Sequence, residues 1–295
     1  MKTSFIILLL VLSVSVRLLA ADPIQVVSFS TITTEIAEKV GGKLVKVTGV
    51  VKAGIDPHEY EPKPDDLKEV GSAALILASG KHMENYTSKL QESAAPNTVL
   101  LQVGDAFPSL TMKEEGEAAK TVEDPHWWHS IANMKKAVRV VQDALTKISP
   151  ADKDSFAKNA DAYEAQLDEL DKWVRAKIAE LPRDKRKLVT SHDAFQYFAR
   201  DYGFTIYPVQ GVSTQDAISS TGVAELVQTI KDQHVKAVFF ENIENPKVLK
   251  EITAETGAKI GGELYADGLG EKTDHTETYE GMIRHNVTTI VEALK

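Results

Sequence analysis

The sequence predicts an α/β protein of two lobes, each a small, mostly parallel sheet with flanking helices, joined by one long rigid helix. Two observations carry this. Short β-rich runs alternate with amphipathic stretches in both halves of the chain, the pattern of βαβ units. Between the halves, an apolar stripe recurs at helical spacing from Phe156 to Leu181. A length of 295 residues suits two domains of ordinary size. A hydrophobic fraction of 43% with 26% charged residues is globular and excludes disorder as the dominant state.

Residues 1–20 read as a cleavable signal peptide. Lys2 gives a positive start, Phe5 to Val16 is apolar apart from Ser13 and Ser15, and Ala20-Ala21 supplies small residues for cleavage. As a helix, that apolar run rises only about 18 Å, short of a ~30 Å bilayer core. The N-terminal lobe is expected over 21–150. Its strands fall at Ile24–Phe29, Lys43–Val51, Ala74–Ala78 and Thr98–Gln102, with helices at Thr31–Val40, Pro64–Gly71 and His82–Gln91. Residues 104–124 are polar and without period, and read as a mobile loop near the site mouth.

The linking helix is expected within 151–182. Phe156, Ala160, Tyr163, Leu167, Leu170, Val174, Lys177 and Leu181 step by threes and fours, with Ile178 covering the weak step at 177, and Pro150 and Pro182 bracket the run. From Asp152 to Leu181 this is about 45 Å of helix, with no internal glycine or proline to kink it. A coiled-coil dimer arm is the alternative, but lysine and aspartate stud one side. The C-terminal lobe, 183–295, repeats the first style. Strands are expected at Lys187–Ser191, Thr205–Pro208, Ala237–Phe240 and Ala258–Gly261, and helices at Ala194–Tyr202, Gly222–Gln233, Pro246–Thr256 and Thr276–Leu294.

A formal charge of −9 offers no basic face to a nucleic-acid backbone, and its sign suits a small cationic ligand. With no cysteine, disulfides, thiolate metal sites, cysteine nucleophiles and a lipid-modified N-terminal cysteine are excluded. The expectation is therefore an unanchored periplasmic protein, secreted through its signal. Any metal must be held by His, Asp or Glu.

Four such residues sit where an open α/β sheet binds ligands, at the loops leaving strands or starting helices. His58 lies in Asp56-Pro57-His58-Glu59-Tyr60-Glu61-Pro62, and His126 in Asp124-Pro125-His126-Trp127-Trp128-His129. His192 follows a strand in Ser191-His192-Asp193-Ala194-Phe195, and Asp267 closes Gly262-Glu263-Leu264-Tyr265-Ala266-Asp267. Two precede the long helix and two follow it, so a joint site would lie between the lobes. Three imidazoles and one carboxylate make a sound shell for Zn2+, with Mn2+ or Fe2+ also possible. Imidazole must lose its proton to bind, so affinity is expected to fall below about pH 6. His129 shares a helical face with His126 and is open as a fifth ligand or a supporting residue. His82, His234, His275 and His285 read as polar helix-surface residues, and Trp127 and Trp128 as cleft wall. An exported metal-dependent hydrolase, with Glu59, Glu61, Asp193 or Glu241 as base, and a metal-dependent adhesin fit the same residues.

These four segments, in order and across nearly the whole chain, resemble the zinc/manganese solute-binding proteins of bacterial ABC transporters. The resemblance implies a non-enzymatic, monomeric receptor. It would bind Zn2+ or Mn2+ through His58, His126, His192 and Asp267 and deliver it to an ABC-type permease in the inner membrane. Histidine at the third position resembles the zinc-type and mixed members; manganese members often carry glutamate there. Two departures stand out: the family usually has an apolar residue at the position of His129, and the acidic stretch 113–124 lacks the histidine-rich loop of many zinc-specific members.

Overall fold

The computed structural model describes residues 22–113, 121–243 and 247–295. The signal-peptide expectation and the first residue of the helix expected at Pro246–Thr256 lie outside them. The chain begins with β1 (Ile24–Ser28), α1 (Thr31–Gly41), β2 (Val45–Gly49), α2 (Pro64–Ser72), β3 (Leu75–Ala78), α3 (Thr87–Ser93) and β4 (Val99–Gln102). A short antiparallel pair follows, β5 (Thr111–Lys113) with β6 (Thr121–Glu123). Next come α4 (Ile131–Ile148) and the long α5 (Lys153–Ala179). The second half runs β7 (Lys187–Thr190), α6 (Gln196–Tyr202), β8 (Thr205–Pro208), α7 (Ser220–Asp232), β9 (Ala237–Glu241), α8 (Lys247–Thr256), β10 (Lys259–Leu264) and α9 (Tyr279–Leu294).

Each half forms one four-stranded parallel sheet. The orders are β2-β1-β3-β4 and β8-β7-β9-β10, the same order in each. The chain reverses direction across the sheet beside β1 and beside β7, which opens a crevice at the carboxyl ends of those strands. Both faces of each sheet are covered, as parallel sheets require. In β1, Val26 and Val27 enter different cores; Leu75 and Leu77 of β3 part from Ile76 in the same way. In the second sheet, Leu188 and Phe239 face the shared core, while Val189 and Val238 face α7 and α8.

That shared core runs through α5. Phe156, Ala160, Tyr163, Leu167, Leu170, Val174 and Ile178 are all buried, the stripe expected from the spacing. The helix packs on α1 and α4 of the first half and α9 of the second. Buried Glu35 of α1 fastens the three elements: its carboxylate accepts the Tyr163 hydroxyl at 2.8 Å and the Tyr279 backbone N–H at 2.7 Å. Burial raises the pKa of Glu35 in spite of both bonds.

Two stretches differ from expectation. The helix expected at His82–Gln91 begins only at Thr87. Gly80, Lys81 and His82 all hold positive φ, and side chains take their backbone donors: Glu84 accepts Ser79 and Gly80 N–H, and Asp105 accepts Lys81 N–H. Within 104–124, β5 and β6 are ordered into a ladder. Its residues Met112, Val122 and Glu123 line a cleft of about 660 Å³ that also reaches His58. Residues 114–120 lie outside the described set.

Candidate metal centre

The four candidate ligands converge from four loops. His58 lies between β2 and α2, His126 between β6 and α4, His192 just past β7, and Asp267 just past β10. Their side chains are nearly dry: His126 and His192 are 0% exposed, Asp267 1% and His58 6%. One ligand atom from each lies within 4.8 Å of all the others. His126 Nε2 is 3.3 Å from His58 Nε2, 3.2 Å from His192 Nε2 and 3.1 Å from Asp267 Oδ1. Asp267 stands 3.7 Å from His58 Nε2 and 3.5 Å from His192 Nε2.

Those separations are diagnostic. A tetrahedron with bonds of ~2.1 Å, the length for zinc with nitrogen or oxygen, has edges of about 3.4 Å. The His126 distances, all to one ligand atom per partner, lie a little under that edge, and the Asp267 oxygens reach the other two rings at 3.5–3.7 Å. Both Asp267 oxygens are buried, and the polar groups they face are the three imidazoles. A desolvated carboxylate facing three imidazoles is costly unless a cation sits there. Burial raises the Asp267 pKa, but the His192 charge and its contacts with His126, His192 and His58 outweigh it and hold the carboxyl well below the usual range.

Buried carboxylates orient two of the rings. Asp124 Oδ1 accepts the His126 backbone N–H at 2.9 Å and faces Nδ1 at 2.8 Å. Glu241, at the end of β9, accepts the His192 N–H at 3.2 Å and bonds Nδ1 through its other oxygen. With Nδ1 held, each Nε2 lone pair points into the centre, the carboxylate–histidine arrangement of metal sites. From the sequence alone, Glu241 is only a conceivable base and Asp124 has no separate role. The signal for Asp124 was present, since aspartate two residues before histidine turns the loop with its own side chain. Nothing local marks Glu241, because its partner is on the neighbouring strand.

His129 lies outside the cluster. Its Nε2 is 2.8 Å from the Ala266 carbonyl and its ring packs on Phe195, with centroids 4.4 Å apart. Burial lowers its pKa to about 3, so the ring is neutral and Nε2–H donates. Trp128 donates to the same carbonyl at 2.7 Å, and Trp127 to Ser79 O at 3.0 Å. Trp128 and His129 thus hold the Asp267 loop against the first half, while Trp127 ties its own loop to the end of β3. His129→Ala is expected to leave metal stoichiometry intact while costing about 1–3 kcal/mol of stability; thermal melting beside a metal titration checks both. Of the four surface histidines, only His285 is helical. It is half-buried and 3.0 Å from Glu263 O; His82, His234 and His275 occupy positive-φ turn positions instead.

A family model described as "Zinc-uptake complex component A periplasmic" matches residues 26–293. The chain belongs to that family. Manganese-binding lipoprotein MntA of Bacillus subtilis is 38% identical over 281 residues, covering 94% of this chain and 91% of MntA. Iron-binding protein YfeA of Yersinia pestis is 31% identical, covering 92% and 86%. The solved structure of the periplasmic zinc-binding protein TroA from Treponema pallidum superposes with a TM-score of 0.86 at 32% identity, covering 92% of this chain and 99% of TroA. The two-lobed fold is thus shared with TroA over nearly the whole chain. These relatives correct the expectation of an unanchored periplasmic protein, because MntA and several others are named lipoproteins. That expectation rests on the cysteine count of zero, and the lipoprotein relatives run against it. What the relatives support is a location facing away from the cytoplasm.

Proposed function

We propose that this member of the zinc-uptake component family is the metal receptor of an ABC-type importer. It captures a divalent transition metal, Zn2+ or Mn2+ with Fe2+ also accommodated, and hands it to a membrane permease as a monomer. Lobes 21–150 and 183–295, braced by the helix 151–182, supply two ligands each: His58 and His126 from one, His192 and Asp267 from the other. The observation that carries the reading is the convergence of four buried ligand atoms within 4.8 Å of one another, with a carboxylate facing three imidazoles. The relatives named above bind manganese, iron and zinc, in support of a transition-metal cargo. The exported-hydrolase alternative finds no support among them. Elemental analysis of the purified chain, followed by titration of the stripped protein with zinc and with manganese, tests this. One equivalent bound tightly is expected; no saturable binding of either ion would overturn the proposal.

A further inference from the structure

The Asp-Pro-His sequence occurs twice at the centre, and the two copies are wired differently. In both, the aspartate Oδ1 accepts the histidine backbone N–H, at 2.8 Å for Asp56 and 2.9 Å for Asp124. Asp124 uses that oxygen for the ring as well, holding Nδ1 of its own histidine. Asp56 instead sends Oδ2 across the cleft, where it accepts the Thr214 hydroxyl at 2.7 Å. Among the described residues, nothing in the chain hydrogen-bonds Nδ1 of His58.

The surroundings set His58 apart. Of the four ligands, it alone lines the 660 Å³ cleft. The loops of the other three are seamed together by buried bonds. Trp128 and His129 reach Ala266 O, the Tyr279 hydroxyl donates to Trp128 O at 2.6 Å, and the Tyr197 hydroxyl to Asp124 O at 3.1 Å. The loop 50–63 crosses to the second half far more sparsely. Among the described residues its one hydrogen bond there is Asp56–Thr214, apart from the contact of His58 with Asp267. Gly54, at φ +75° with open space beside it, gives that loop a pivot. The anchor on the other side is braced: Gln210 Nε2 donates to Thr214 O and Asp216 O, and Ser213 N–H to Asp216 Oδ2.

We infer that Asp56 and Thr214 are positioning residues for His58 and form a latch whose opening sets the rate of metal exchange. Breaking this one bond frees the His58 loop toward the cleft while the buried seam stays packed. The ion then leaves past a displaced His58, without the lobes separating. The inference rests on the metal-receptor reading above.

The test uses the full chain loaded with zinc and mixed rapidly with excess chelator, following release with time. Thr214→Val keeps the side-chain volume but removes the hydroxyl. It is expected to speed release about tenfold, the worth of one hydrogen bond to a charged group. Thr214→Ser keeps the hydroxyl and is expected to restore the wild-type rate, and the metal-free melting temperature should move little in either variant. Thr214→Ala serves if the valine variant fails to fold. A release rate within twofold of wild type in Thr214→Val, or Thr214→Ser as fast as Thr214→Val, would overturn the latch while leaving the receptor intact. Failure of the wild type itself to take up zinc would instead remove the reading beneath it.

Discussion

Alanine at His126, His192 or Asp267 is expected to weaken metal binding by more than about 100-fold. Each supplies one of four atoms spaced for a single ion, and the dry pocket gives no ready substitute. Their supporting carboxylates set the scale, because losing a group that orients a ligand typically costs 10–100-fold in affinity. Asp124→Asn and Glu241→Gln are expected in that lower range, since either amide can present its N–H₂ to the ring and favour the wrong tautomer. His58→Ala should weaken binding too. His82→Ala should leave it unchanged, because that side chain is 90% exposed and outside the cluster. Competition against a chromophoric chelator measures all of these. An effect of His82→Ala as large as that of His126→Ala would sink the assignment.

Metal binding should also weaken from about pH 8 downward, well above the onset expected of an isolated imidazole. Burial disfavours the His126 cation, but hydrogen bonds and charge from Asp124 and Asp267 outweigh burial and raise its pKa to about 8. Against the same burial, Glu241 and Asp267 raise His192 well above the ordinary value. The metal-free centre therefore holds protons at neutral pH that a metal must expel, and affinity falls about tenfold per pH unit for each proton displaced. The sign for the fold is opposite. A histidine with a raised folded pKa stabilises the metal-free protein below pH 6.5 and loses that contribution as pH rises through about 8. At one fixed free-ion concentration, stabilisation by metal, about 4 kcal/mol where that concentration is ~1,000 times the dissociation constant, should accordingly grow between pH 6 and 8.5. Paired thermal melts with and without zinc decide this; an equal shift at both pH values contradicts it.

Much of the fold was legible locally. The α5 stripe is a periodicity within one segment, and each of its residues needs only the same apolar neighbour to be buried. The strands and most helices followed from runs and turn residues in the same way. The four candidate ligands were legible because each lies in a loop with its own turn chemistry, directly beside a strand exit or helix start. Proline before His58 and before His126 marks such loops in the sequence itself.

Other features depended on partners far along the chain. His129 looked like a possible ligand until Ala266, 137 residues later, received its N–H. Glu241 became a ring-holding carboxylate because β7 and β9 are neighbours in the sheet. The helix expected at His82 gave way because Asp105, 24 residues away from Lys81, takes that residue's backbone donor. Proton affinities at the centre followed the same rule: a pKa is set by whichever charges and bonds surround a group, and Asp267 approaches His126 only in the folded chain. Amino-acid order determined which segments are helical or extended and which side chains can hold a metal. Tertiary packing alone decided which of those side chains meet and which carry protons. Hydrophobic periodicity acts within a turn or two of chain, whereas coordination, ring orientation and charge act through space.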